Sequence, residues 1–213
     1  MTTIATVRAL VRKDLHDEDA SNYRWTDAVL DRHTGRAVNE YSIAAPLEQK
    51  STLTTTAGSR DVSVASLANL IDIEAVEWPV GQFPPARVAW SQWQTTITLD
   101  SVNAPAGVEN VYVYWLKMHT LDGSSSTLPV AHEELIIEGA AGYAALDWTS
   151  FATNRLNTAG DDVWGRYKAF ADERLRRFRA DLVRLGRANA VRQRRMYVAE
   201  DAPSVFEQSR VKY

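Results

Sequence analysis

The chain contains no cysteine, and this absence removes several kinds of chemistry at once. Disulfide bonds, thiolate metal sites and cysteine nucleophiles all require a thiol, so the sequence excludes them. Hydrophobic runs are short, and no segment approaches the length of about 18 apolar residues that a membrane-spanning helix needs. The first residues lack the basic stretch and long apolar run of a signal peptide, so we expect neither a secretion signal nor a membrane span.

The sequence also lacks a strong excess of either charge. Its 213 residues include 24 basic and 27 acidic side chains, for a formal net charge of −3. Nothing global therefore points to nucleic acid. The hydrophobic fraction of 45% is that of a globular chain with a real core, and the length allows one domain with a sizeable insertion. Seven tryptophans suggest more buried surface than a lone small domain needs.

Motifs of catalysis are missing as well. The chain has no GxSxG elbow, no Walker loop and no GxGxxG after a strand. His132-Glu133-Glu134 resembles the start of a zinc motif, but Ile136 stands where the second histidine is required. The acidic pair Asp72 and Glu74 fits the solvated side of a strand better than acid–base work. We therefore predict a protein that is not an enzyme and that holds no metal or cofactor.

Two amphipathic helices are expected at the N-terminal end. Thr3 can cap the first, whose apolar residues recur at three- and four-residue steps up to Leu15. Thr26 can cap the second, and Asp27 in its first turn suits the helix dipole. Pro46 ends this second helical pattern.

From about residue 47 to 127 the pattern becomes β-like. Pro and Gly residues at 79–85, the run 103–107 and Asp122-Gly123 mark turns between apolar segments. We predict a small antiparallel β-domain of five or six strands, with segments at 51–56, 70–78, 87–90, 95–99 and 111–116.

Two further helices are expected after this stretch. Pro129 suits the first helical position of one of them, and the small residues 139–142 offer a face for close helix packing. The last helix begins near Asp161 and carries a lengthwise apolar seam, the pattern of a helix packing on partners. We predict subunit packing through four residues of this helix: Trp164, Leu175, Phe178 and Leu182.

The C-terminal part is rich in arginine. Residues 172–195 contain nine arginines and three carboxylates, a local net charge of +6. One interpretation is an acidic partner or a nucleic-acid backbone, and the other is a solvated helix face. Beyond residue 190 a mixture of Arg, Met and Tyr is typical of protein interfaces. We predict partner binding through seven residues of this end: Arg192, Arg194, Arg195, Met196, Tyr197, Phe206 and Tyr213.

Together these patterns predict an α+β protein. Two N-terminal and two C-terminal helices should form an antiparallel bundle, because neither pair alone buries its apolar face. We expect a discontinuous bundle domain (1–46 and 129–190), an inserted β-domain (47–128) and an extended C-terminal tail (191–213).

Several stretches resemble one protein family. The first is a short helix, an acidic loop and a helix start of the form W-[ST]-D-x-x-L; the second is Ser-Thr-Leu-Pro followed by a His-Glu-Glu helix. The matching stretches are Thr6-Val7-Arg8-Ala9-Leu10-Val11-Arg12 with Asp14 and Leu15, Tyr23-Arg24-Trp25-Thr26-Asp27-Ala28-Val29-Leu30, residues 37–42, residues 126–129 and residues 132–141. In these stretches the chain is similar to the head-to-tail connector (adaptor) proteins of tailed bacteriophages.

The resemblance implies a structural role in a virion. It implies a ring, usually dodecameric, that docks below the portal protein, extends the channel for double-stranded DNA and carries the next stopper or tail component. C-terminal segments in this family commonly reach the portal, and assembly would take place in the host cytoplasm. Two alternatives stay open: another neck or tail-completion ring protein, and a nucleic-acid-binding module that uses the C-terminal arginines.

Overall fold

The computed structural model describes residues 2–152 and 163–196, with side chains over 2–150 and 164–189. Helix α1 spans Ile4–Asp14 and helix α2 spans Asp27–Ala44. Both predicted caps are confirmed: the Thr3 hydroxyl accepts a hydrogen bond from the Thr6 amide, and the Thr26 hydroxyl accepts one from Val29. The side chains thus satisfy amides that the first helical turn leaves without a partner.

The middle of the chain forms one antiparallel sheet of six strands in the order β1-β6-β3-β4-β5-β2. Strand β3 pairs with β4 through only two residue pairs, and β4 then continues alongside β5, so the sheet curls. Five strands fall on predicted segments, whereas the three-residue β2 is too short to show an alternation. The strands are β1 (Leu47–Thr54), β2 (Asp61–Ser63), β3 (Leu70–Glu77), β4 (Arg87–Trp93), β5 (Thr96–Asp100) and β6 (Asn110–Lys117).

Helical structure returns after the sheet. A 3₁₀ turn at Val130–His132 leads into helix α3, Glu133–Ala152, and helix α4 spans Val163–Met196. Pro129 is the residue before the 3₁₀ turn rather than the first helical residue. Helix α4 runs past the expected tail boundary at 191, because 191–196 contains strong helix formers and no breaker.

Helix α3 lies at the centre of the helices. α1, α2 and α4 all pack on it, and most of its residues from Ile136 to Ala145 are buried. A helix that is apolar all round is one enclosed by neighbours. The predicted α+β class is therefore confirmed, with four helices and an antiparallel curled sheet.

Two separate hydrophobic clusters stabilise the chain. One lies among the helices and the other inside the curl of the sheet, where Val76, Ile97, Leu99, Val111 and Val113 are fully buried. The predicted domain boundaries stay a prediction.

Candidate assembly surfaces

The residues around the Trp25-Thr26-Asp27 helix start form an ion network where α1 meets α2, with Arg12 buried at its centre. Arg12 is 5% exposed and its guanidinium contacts Asp17 at 2.5 Å, Asp27 at 2.7 Å and the Trp25 carbonyl at 2.9 Å. It also lies 3.6 Å from the ring centroid of Tyr23. A buried charge is tolerated only when it is paired and hydrogen-bonded in this way. These residues therefore fix the acidic loop between the two helices.

A second arginine extends the network along α1. Arg8 donates two hydrogen bonds of 2.8 Å to Asp31 and one of 2.6 Å to Asp27. The hydrogen bond from Arg12, together with the nearby Arg8 charge, lowers the pKa of the Asp27 carboxyl. The two N-terminal helices are thus joined by charge-assisted bonds.

Aromatic residues connect this corner to α3 and α4. The Trp25 indole N–H donates to the Ala144 carbonyl at 3.0 Å, and its ring lies 5.6 Å from that of Trp148. The Arg24 guanidinium lies 5.0 Å from the Trp148 ring centroid and donates to the Tyr167 hydroxyl. The motif residues therefore position helices.

The contact between α3 and α4 depends on two glycines. A Cβ at Gly139 would lie 2.9 Å from the Phe178 ring, and one at Gly142 would lie 2.9 Å from Cγ of Leu175. Real Cβ atoms do not approach so closely, so only glycine lets the helices come this near. The predicted small-residue packing face is confirmed.

The four residues predicted for subunit packing do not share one environment. Leu175, Phe178 and Leu182 are at most 9% exposed within a single chain, where they pack into the core of the helical bundle. Their burial is accounted for by contacts of the chain with itself. Trp164 is 45% exposed, and its part in subunit packing stays a prediction.

The predicted partner-binding residues lie at or beyond the end of α4. The backbone of Arg192, Arg194, Arg195 and Met196 is helical, so these residues extend α4 rather than begin an extended tail. Their side chains, and Tyr197, Phe206 and Tyr213 altogether, lie outside the described part of the chain.

Helix α4 is anchored by α2 shortly before this end. The Asn189 side chain donates to the Ala44 carbonyl at 3.1 Å, and Gly186 lies against the same residue. From residue 182 to 196 the helix has five arginines and no carboxylate. Val183 and Arg187 are exposed, and Arg187 forms no ion pair with the residues whose side chains are described. This half of α4 therefore carries a net positive charge in its sequence, with Val183 and Arg187 exposed.

His119 holds the junction between the helices and the sheet. It is 7% exposed, its amide donates to the Ser42 hydroxyl, and its ring nitrogens lie 2.9 Å from the Thr127 carbonyl and 3.0 Å from the Ala45 carbonyl. Burial lowers the pKa of the imidazole, whereas the two carbonyls raise it, and burial is the larger effect. Both chain connections into the sheet thus meet at one histidine.

The residues that the sequence singled out for possible acid or metal chemistry lie apart in the structure. Among the described residues no group of three metal-ligating side chains occurs, Glu133 accepts a hydrogen bond from Thr2, and Asp72 is exposed. A shallow cavity of about 400 Å³ between α2 and α3 contains His33, whose pKa is lowered by burial. In this cavity Arg32 pairs with Asp147 at 3.3 Å, and Arg36 pairs with Glu40 at 3.3 Å.

The sheet exposes apolar residues that sequence reasoning missed. Phe83 is 98% exposed in the β3–β4 loop, and Val102 and Val108 are 93% and 78% exposed in the β5–β6 loop. Strand order brings both loops to the edge of the sheet where β3 ends and β6 begins. The available signals were Phe83 inside the predicted turn segment 79–85 and the two valines that flank the predicted turn run 103–107.

No helix in the described ranges combines the length and the apolar character needed to cross a bilayer.

Comparisons with known proteins give weak likenesses. No protein-family model matches the chain, and no curated protein does. Among solved structures, a chain from the neck of an empty gene transfer agent (GTA) particle with C6 symmetry matches with a TM-score of 0.28 and 16% identity, over 79% of this chain and 88% of that one. A chain from the virion of a native GTA particle gives 0.27 and 17%, over 81% and 88%. A chain from the neck of a native GTA particle with C12 symmetry gives 0.28 and 15%, over 82% and 92%. TM-scores this low lie below the level at which two chains share a fold.

Proposed function

We propose that the protein is a structural component of a tailed virus-like particle, a head-to-tail adaptor at the junction of capsid and tail. In this role copies of the chain form a ring below the portal protein. The ring extends the channel through which double-stranded DNA passes without sequence-specific contact, and it carries a downstream stopper or tail protein. Assembly takes place in the host cytoplasm.

The observation that carries this proposal is the corner between α1 and α2. The residues that resemble the connector family are the ones that form the ion network, in which Arg12 is buried and Arg8 and Asp27 lie toward its surface. Side chains that fix the geometry of helices fit a structural part of an assembly.

Helix α4 supports the same function. Its 34 residues give a length of about 50 Å, and it continues past its contact with Ala44. A rigid helix that ends in arginines is suited to reach a neighbouring component. We assign portal contact to residues 191–213.

Sedimentation of the protein alone and with the cognate portal, with imaging of any complex, tests the proposal. We expect a ring stacked coaxially on the portal. A chain lacking residues 191–213 should keep its thermal unfolding transition and lose portal association. Because α4 ends at Met196, a chain lacking only residues 197–213 separates the helix end from the segment after it.

Two results would contradict the proposal. Absence of any complex at all salt concentrations would argue against an adaptor, and association of the truncated chain at full strength would remove residues 191–213 from the portal contact. Salt-dependent DNA binding that is lost when Arg192, Arg194 and Arg195 are replaced would instead favour a nucleic-acid-binding module.

A further inference from the structure

Charge is unevenly distributed between α4 and the rest of the chain. Residues 163–196 contain eleven basic and three acidic side chains, a net charge of +8, so the remainder carries −11 of the total of −3. Identical chains with such a division attract one another when the basic part of one meets an acidic part of the next.

The basic part has an accessible face on α4, which we name the arginine face: Val183, Arg184 and Arg187. Val183 and Arg187 follow the fully buried Phe178 by five and nine residues, so they lie on the opposite side of the helix. Val183 is 54% exposed, and the Arg184 side chain is 79% exposed although it lies 3.1 Å from Asp181. The face thus combines an apolar centre with positive charge.

An acidic counterpart lies near the start of α1, and we name it the acidic rim: Asp122, Val130 and Glu133. The Asp122 carboxylate accepts hydrogen bonds from the amides of Ser124 and Ser125, which lower its pKa to about 2. Val130 is 80% exposed. Glu133 lies beside the N-terminus of the chain, where it accepts from Thr2. This surface has the same composition as the arginine face with the charge reversed.

The two surfaces lie at one level along the bundle. Gly139 opposes Phe178 and Gly142 opposes Leu175, so α3 and α4 are antiparallel, and the same register places Glu133 level with Arg184. The rim is held at the α1 end by the hydrogen bond from the Ile4 amide to the Asp122 carbonyl. A ring needs two different surfaces on each copy, placed so that side-by-side copies bring them together.

We propose that the arginine face of one copy binds the acidic rim of the next, which makes these surfaces the contact between subunits. This inference rests on the proposed ring and identifies which side chains join it. A second copy is favoured over nucleic acid because the remainder of the chain carries −11 and would repel a phosphate backbone. The exposed Val183 and Val130 also fit a protein surface better than phosphates.

Neutralising variants with conservative shape test this contact. R184Q/R187Q removes the positive charge from the face, and D122N/E133Q removes the negative charge from the rim while keeping oxygen atoms that can accept the bonds from Ser124, Ser125 and Thr2. We expect each variant to associate about tenfold more weakly or worse, in sedimentation velocity alone and on the portal. R166Q serves as the matched control, because Arg166 is an exposed arginine at the other end of α4.

Mixing the two variants gives the sharper result. Each retains one intact surface, so a mixture should form a two-chain species and stop there, whereas the unchanged protein continues to a ring. Thermal unfolding by circular dichroism should show that both variants keep the fold. Raising the salt concentration should weaken the unchanged contact as well.

The failures of the two proposals are distinguishable. Variants that form rings on the portal as the unchanged protein does would overturn this contact and leave the adaptor function standing. An unchanged protein that forms no ring, alone or on the portal, would overturn both. If R184Q/R187Q loses binding to a labelled DNA duplex and keeps self-association, the arginine face is a nucleic-acid surface and the proposed contact is wrong.

Discussion

The inner and outer faces of α4 belong to one helix but meet opposite surroundings. On the inner face Leu175 and Phe178 are buried against the glycines of α3. On the outer face Val183 and Arg187 are exposed. The apolar seam in the sequence therefore predicts that one face of α4 is buried. It does not predict whether the same chain or another copy covers that face. In this protein the same chain covers it.

The largest effect is expected from shortening an inner side chain. Phe178→Ala should lower the free energy of unfolding by about 3–5 kcal/mol, because it leaves a cavity beside Gly139 that the backbone cannot fill. Urea unfolding followed by circular dichroism measures this change. Val183→Ala on the outer face is the control, with an expected change of less than about 0.5 kcal/mol. Equal losses in the two variants would remove the distinction between the faces.

A smaller loss in the free energy of unfolding is expected from a substitution that separates α3 and α4. In Gly142→Ala the new Cβ lies 2.9 Å from Cγ of Leu175, so the helices must move apart. The cost of overpacking should exceed the gain of about 1 kcal/mol from helix propensity. The free energy of unfolding should therefore fall by about 1–2 kcal/mol. Gly35→Ala in α2 has no atom within 4 Å of its new Cβ and should gain about 0.5–1 kcal/mol. A gain in both variants, measured by urea unfolding, would contradict the close approach.

The boundary between the two faces can be tested at Asn189. Replacing it with alanine removes the hydrogen bond to the Ala44 carbonyl and should cost about 1 kcal/mol. Differential scanning calorimetry detects such a change as a lower melting temperature. Asn39→Ala, at an exposed position of α2, should leave the transition in place. If Asn189→Ala also leaves it in place, the anchoring of α4 does not depend on this bond.

The smallest effect on stability is expected from replacing Arg187 on the outer face of α4. Arg187→Ala should change the free energy of unfolding by less than about 0.5 kcal/mol, because its side chain has no ion pair with the described residues. The same urea titrations measure it. A loss above about 1 kcal/mol would mean that Arg187 stabilises the bundle and is not reserved for a partner.

The sequence was sufficient for the elements whose signals are local. The caps at Thr3 and Thr26 and the strong alternation of β6 depend on neighbouring residues, and each was predicted close to its position. Strand β2 was not predicted because three residues are too few to show the two-residue alternation of a strand. The end of α4 was placed too early because arginine, glutamine and methionine favour a helix even where no apolar seam continues.

The candidate surfaces were harder to predict from the sequence. The motif at Arg12 and Asp17 was visible, but its function as a buried ion network depends on the fold of the intervening loop. The acidic rim joins Asp122 and Glu133 through the docking of α1, a contact between distant parts of the chain. The environment of His119 has the same origin, since its two carbonyl partners are far apart in sequence.

The pairing of β1 with β6 has a consequence for protein engineering. Leu47, the first residue of the sheet, is paired directly with Lys117, the last, so the chain leaves the helices and returns to them at adjacent points. Paired residues of antiparallel strands lie about 5 Å apart, a gap that a short linker spans. The sheet can therefore be treated as one insert that could be deleted or replaced as a unit. A shortened chain that joins residue 46 to residue 118 would keep His119 and its carbonyl partners, and with them the frame into which a different insert could be placed.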